Sequence, residues 1–111
     1  MRTLFITGVL ALAACAPMQS DPSLLAGQLA EVQRRADLRI QLATAYYAEG
    51  QYGTALHELD LAYQTGQRRP EVLGLRSLVL MQQGDAAGAT RSLRQALQLD
   101  PDNPGLLNNM G

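Results

Sequence analysis

The sequence has almost none of the residues on which most enzyme and metal sites depend. One cysteine, Cys15, and one histidine, His57, occur in 111 residues. A single thiol excludes an intrachain disulfide, and His57 has no Cys or His at ligand spacing, so we interpret it as a solvated surface residue. The sequence contains no glycine-rich phosphate loop and no Ser-His-Asp arrangement. It therefore predicts no metal, no other cofactor, no small-molecule substrate and no enzymatic activity.

An excess of positive charge and a long hydrophobic run are also lacking. Nine arginines oppose ten acidic residues, which gives a formal net charge of −1 and disfavours nucleic acid as a partner. The apolar stretch from Leu4 to Ala14 has 11 residues, whereas a permanent membrane span needs about 20. Because this stretch follows Arg2, it has the pattern of a secretory signal.

What the sequence does contain is a repeat with a period of 34 residues. The recurring pairs are Gly50 and Gly84, Ala55 and Ala89, Leu59 and Leu93, Ala62 and Ala96, Pro70 and Pro104, and Leu73 and Leu107. Glycine suits the end of a first helix, where a left-handed residue is needed, and alanine lets two helices approach closely. Proline suits the start of the next helix. The pattern resembles tetratricopeptide repeats, which implies an all-α, right-handed solenoid of helix–turn–helix units that binds other proteins.

The period divides the chain into segments. We predict a signal peptide at 1–14, a lipidated cysteine with a flexible tether at 15–23, a lead-in helix at 24–35, a first repeat at 36–69, a second at 70–103 and the start of a third at 104–111. The third repeat stops inside its first helix, which favours a fragment of a longer protein over a marginal, partner-dependent solenoid. Arg39 and Arg76 depart from the repeat pattern, because they stand at positions that are usually apolar.

The end of the apolar stretch resembles a second known motif. Leu12, Ala13, Ala14 and Cys15 match the lipoprotein box of bacteria, in which the peptidase cleaves before the cysteine and lipid is attached to its thiol. The resemblance implies lipidation of Cys15 and, because Ala16 rather than aspartate follows, sorting to the outer membrane of a Gram-negative bacterium. The alternative interpretation is an inert thiol that happens to lie near the end of a signal peptide.

Two longer segments point to a particular family. The segments 38–47 with 51–56 (LRIQLATAYY, QYGTAL) and 97–111 (LQLDPDNPGLLNNMG), taken with the lipoprotein box, resemble the amino-terminal part of the type IV pilus biogenesis/stability lipoproteins, or pilotins. The resemblance implies a periplasm-facing scaffold held by lipid in the inner leaflet of the outer membrane. Its protein partner would be the pilus secretin subunit, whose membrane insertion or assembly it would assist. A generic repeat lipoprotein that serves as a structural adaptor, or as a regulatory subunit for cell-wall or outer-membrane assembly machinery, remains open.

The resemblance to tetratricopeptide repeats also implies where a partner binds, because the first helices of such repeats line the concave face. The predicted partner-binding groove consists of Ile40, Thr44, Tyr47, Leu78, Met81 and Gln82. A groove with exposed Tyr, Leu and Met suits an amphipathic or extended peptide. The alternative is that these residues pack against the lead-in helix or against a further repeat.

Overall fold

The computed structural model describes residues 21–65 and 68–109, and every regular element within them is an α-helix. The helices are α1 (Pro22–Ala48), α2 (Tyr52–Thr65), α3 (Pro70–Gln82), α4 (Ala86–Leu99) and α5 (Pro104–Asn109). Helix α1 packs mainly on α2, and α3 packs mainly on α4. Helices α2 and α3 join the two pairs, while α5 lies against both α3 and α4. This arrangement confirms the predicted all-α solenoid of stacked helix pairs.

The two glycines of the repeat end the first helix of each pair. Gly50 has a φ of 75°, and the amide of Gln51 donates to the carbonyl of Tyr46 at 2.8 Å. Gly84 has a φ of 83°, and the amide of Asp85 makes the equivalent hydrogen bond at 2.9 Å. In this cap a residue in the left-handed region lets the chain satisfy the last carbonyls of the helix. The glycine at each of these positions therefore explains why the first helix of each pair ends there.

Aliphatic side chains from successive helices form the core in two clusters. The first cluster joins α1, α2 and α3 and consists of Ala43, Ala55, Leu59, Ala62, Val72 and Val79. The second joins α3, α4 and α5 and consists of Leu73, Leu93, Ala96 and Leu106. Leu59 and Ala62 of the first cluster stand 34 residues before Leu93 and Ala96 of the second. Residues that recur at the 34-residue period therefore make equivalent core contacts in the two clusters.

Helix α1 differs from the sequence-based expectation. The predicted lead-in helix and the first helix of the first repeat form one continuous helix of 27 residues. Asp21 caps its start by accepting a hydrogen bond from the amide of Ser23 at 3.0 Å. Gly27 lies inside the helix without ending it, since a glycine costs only about 1 kcal/mol relative to alanine there. Because α2 has 14 residues, the first half of α1 extends beyond the end of α2.

The two arginines at usually apolar positions tie neighbouring helices together. Arg39 of α1 donates to the carboxylate of Glu58 on α2 at 2.7 Å. Arg76 of α3 donates to Asp60 of α2 at 3.1 Å and to the hydroxyl of Ser92 on α4 at 2.6 Å. Both arginine side chains remain partly exposed, so neither charge is fully removed from water, and a long arginine side chain is tolerated at a usually apolar position.

Candidate partner-binding groove

The predicted groove residues lie on the first helix of each pair. Helix α1 carries Ile40, Thr44 and Tyr47, whereas α3 carries Leu78, Met81 and Gln82. The two sets have different surroundings, because residues of the α3 set line a cavity that the α1 set does not line.

The three residues on α1 are largely engaged within the chain. Ile40 and Tyr47 are half-buried and pack against the first core cluster. The ring of Tyr47 lies 5.8 Å from that of Tyr52, measured between centroids, with the planes inclined by 49°. Thr44 is exposed, but its hydroxyl donates to the carbonyl of Ile40 at 2.9 Å. This part of the predicted groove therefore offers little free apolar surface.

The residues on α3 lie beside an open cavity. Leu78 is half-buried and Met81 is 57% exposed, and Gln82 is exposed at the end of the helix. The cavity between α3 and α4 has a volume of about 190 Å³ and is lined by Ser77, Leu78, Met81, Ala89, Thr90, Leu93, Arg94 and Asn109. Ile40, Thr44 and Tyr47 do not line it. The structure thus brings together only Leu78 and Met81 among the six predicted residues.

The chemistry of this cavity suits a short apolar side chain with a polar neighbour. Its floor is apolar, and the hydroxyl of buried Ser77 is already used in a 2.6 Å hydrogen bond to the carbonyl of Gly74. Thr90, Arg94 and Asn109 are the exposed polar residues that line it. A guanidinium and an amide can bind a carboxylate or a backbone amide of a peptide. The cavity can therefore hold an aliphatic anchor and orient the chain that carries it.

The rim residues lie outside the predicted groove. That groove consists of residues from the first helix of each repeat, whereas Thr90 and Arg94 lie on the second helix and Asn109 lies on α5. A signal was present, because Leu93 follows the period and its neighbours one helical turn away share its face. Arg94 directly follows Leu93, however, and a position so close to a core residue is not usually taken as a binding residue.

Two further predictions concern residues outside the groove. Cys15 lies outside the described residues. His57 is exposed on α2, and within 21–65 and 68–109 no three His, Cys, Asp or Glu side chains are close enough to hold a metal ion. Within the same ranges, no helix has the length and hydrophobicity that a membrane crossing requires.

The fold and the cavity define a protein of the helical-repeat class. Comparison with known families adds one finding: the family described as TPR repeat matches residues 78–111. This segment begins at Leu78 and includes Met81, all of α4 and α5. No curated protein and no solved structure matches the chain. The chain therefore contains a tetratricopeptide repeat, as the period predicts, and has the architecture of a scaffold for protein–protein interaction.

Proposed function

We propose that this protein is a lipid-anchored, periplasm-facing scaffold of the pilotin type, which binds the pilus secretin subunit and assists its assembly in the outer membrane. The scaffold part of the proposal is supported by the tetratricopeptide repeat at 78–111, whose helix α4 forms one wall of the open cavity beside Leu78 and Met81. The pilotin part is supported by the lipoprotein box and by the resemblance of segments 38–47, 51–56 and 97–111 to that family. A repeat of this class with an unfilled apolar cavity is suited to binding a segment of another protein.

The anchor rests on the lipoprotein box and on the position of Cys15. The only thiol of the chain directly follows Leu12, Ala13 and Ala14, where the modifying enzymes require it. One acyl chain binds a bilayer only marginally, so stable anchoring needs more than one. The three acyl chains of a mature bacterial lipoprotein would hold the repeats at the membrane surface, and Ala16 after the cysteine favours the outer membrane.

The partner segment would bind mainly at the end of α3. Met81 has a flexible, polarisable side chain that adapts to irregular partners, and Leu78 offers a fixed apolar wall beside it. Arg94 at the rim would pair with a carboxylate on the bound segment. A secretin segment with an aliphatic anchor and an adjacent acidic residue is therefore the kind of ligand that fits.

The direct test of the anchored scaffold is Cys15→Ser in cells of the source organism. We expect the variant to lose radiolabelled palmitate, to leave the outer-membrane fraction and to reduce the yield of secretin multimers on denaturing gels. Ser20→Ala, a change in the same tether, is the matched control and should alter none of these. Unchanged palmitate labelling of Cys15→Ser would disprove the anchor.

The same experiment separates the pilotin from a generic envelope adaptor. The adaptor is favoured by the comparisons, because they match a general TPR repeat and no curated protein. If Cys15→Ser loses its lipid and its location but secretin multimers form at the normal yield, the adaptor for cell-wall or outer-membrane assembly machinery is the correct function.

A further inference from the structure

One position of the repeat occurs three times in the chain, and its side chain is buried in two of these occurrences and exposed in the third. Leu38, Val72 and Leu106 follow one another at the 34-residue period, on α1, α3 and α5. Val72 is 1% exposed and Leu106 is 4% exposed, whereas Leu38 is 47% exposed. The repeat therefore predicts a buried apolar side chain at Leu38 on α1 as well, but none of the described residues covers Leu38.

The helix that covers the buried positions is the second helix of the preceding repeat. Val72 lies in the cluster that contains Leu59 and Ala62 of α2. Leu106 lies in the cluster that contains the equivalent residues of α4, Leu93 and Ala96. Each time, a leucine and an alanine three residues apart receive the apolar side chain of the next helix. Leu38 occupies the same repeat position on α1, but no leucine–alanine pair of a preceding helix packs against it among the described residues.

The surface around Leu38 is a groove rather than an isolated side chain. Leu42 lies one turn further along α1 and is also 47% exposed. The groove has a volume of about 560 Å³ and is lined by Val32, Arg35, Leu38, Arg39, Leu42 and Thr65. Thr65 belongs to α2, so the groove continues the established interface between α1 and α2.

The groove contains two arginines, of which Arg39 is paired with Glu58, and the charge of Arg35 is compensated only in part by the described residues. Glu31 accepts hydrogen bonds from Arg34 at 2.9 Å and from Arg35 at 3.1 Å. The hydrogen bonds from Arg34 and Arg35 lower the pKa of Glu31 below its ordinary value, so it is a carboxylate at neutral pH. One carboxylate thus serves two guanidinium groups, and the Arg35 side chain is 70% exposed beside the groove.

We propose that this groove docks an amphipathic helix of another protein, which presents a leucine–alanine seam to Leu38 and Leu42 and a carboxylate to Arg35. The contact repeats the packing of α2 on α3. A second copy of the chain fits less well, because a symmetric pairing of two α1 helices would place the same arginines near one another. The site lies on the opposite repeat from the Met81 cavity and is independent of the proposed function.

The chain itself supplies a suitable probe. A capped peptide of residues 51–65 carries the seam of Leu59 and Ala62 together with Glu58 and Asp60, and this segment forms the helix that covers Val72. Fluorescein-labelled peptide is titrated with the full chain in mild detergent, and fluorescence anisotropy is measured. We expect saturable binding that Leu38→Ala combined with Leu42→Ala weakens about tenfold. Leu99→Ala, which truncates a leucine that is 50% exposed elsewhere, is the matched control and should leave binding unchanged.

A second peptide tests the charge. Glu58→Lys combined with Asp60→Lys in the peptide should weaken binding, and the difference between the two peptides should shrink at high salt. Helicity of the chain variants, measured by circular dichroism, should match that of the wild type because both leucines are half exposed.

Three results would overturn the proposal. Absence of saturable binding would show that the groove is closed or is held by the first 20 residues of the chain. Equal binding by the double-alanine variant would place the peptide elsewhere. Sedimentation of the chain as a dimer that Leu38→Ala dissociates would make a second copy the occupant.

Discussion

Small side chains set the distance between the helices of each pair. Ala55 and Ala89 are 0% and 3% exposed, and each lies where the second helix of a pair meets the first. A side chain larger than alanine at these positions would push the helices apart. The alanines therefore contribute to the fold because they lack the larger side chain that would separate the two helices.

Replacement of Ala55 tests this role directly. Ala55→Arg inserts a long side chain and a charge into the first core cluster, and we expect a loss of about 3 kcal/mol or more in the free energy of unfolding. Thermal and urea denaturation followed by far-ultraviolet circular dichroism measures the change. Ala45→Arg, at an exposed position of α1, is the matched control and should change stability little. An Ala55→Arg protein that melts like the wild type would contradict the assigned packing.

The turn glycines act through backbone conformation instead. Gly50→Ala and Gly84→Ala should each destabilise the chain by about 1 kcal/mol, because alanine is strained at a positive φ. Gly53 lies in the first turn of α2, and a side-chain carbon added there would meet no other atom within 4 Å. Gly53→Ala should therefore leave stability unchanged or raise it slightly. Urea denaturation of the three variants distinguishes these outcomes, and equal effects at all three positions would contradict the assignment.

At the scale of elements, the sequence predicted most of the fold because each helix has its own stop and start signals. Gly50 and Gly84 end helices, and Pro70 and Pro104 begin them. The exception is α1, where no comparable signal separates the lead-in segment from the first repeat. The interhelical bonds of Arg39 and Arg76 were also beyond prediction, since a pattern of apolar positions does not show which carboxylate lies opposite a guanidinium.

The docking of α5 depends mainly on one side chain. Leu106 is buried against Leu73, Leu93 and Ala96, and its Cδ2 atom lies where a side-chain carbon on Gly74 would approach to 2.6 Å. Helices gain most of their stability from tertiary packing rather than from intrinsic propensity, so we expect this contact to hold α5 in place. Leu106→Ala should therefore remove hydrogen-exchange protection from the amides of α5 while α1 and α2 keep theirs.

Leu107→Ala provides the comparison for that experiment. Leu107 lies on the same short helix but is half exposed, so its truncation should leave the protection of α5 nearly unchanged. Equal loss of protection in both variants would show that helix propensity, rather than the Leu106 contact, holds α5 in place.

At the scale of the whole molecule, the resemblance to tetratricopeptide repeats placed the predicted groove on α1 and α3, but it did not show that equivalent residues of the two repeats have different surroundings. Tyr47 packs on Tyr52 and the first core cluster, so Tyr47→Ala would alter stability and binding together. Met81 stands at the equivalent position of the next repeat and is exposed beside a cavity.

We propose that the cavity beside Met81 binds the pilus secretin subunit, and site-specific crosslinking in living cells can test this proposal. A photoreactive benzoylphenylalanine replaces Met81 in one strain and His57, exposed on α2, in a control strain. After illumination, we expect an adduct that contains both this chain and the secretin subunit from position 81 and no such adduct from position 57. The absence of a secretin adduct at position 81, or adducts of equal yield from both positions, would contradict it.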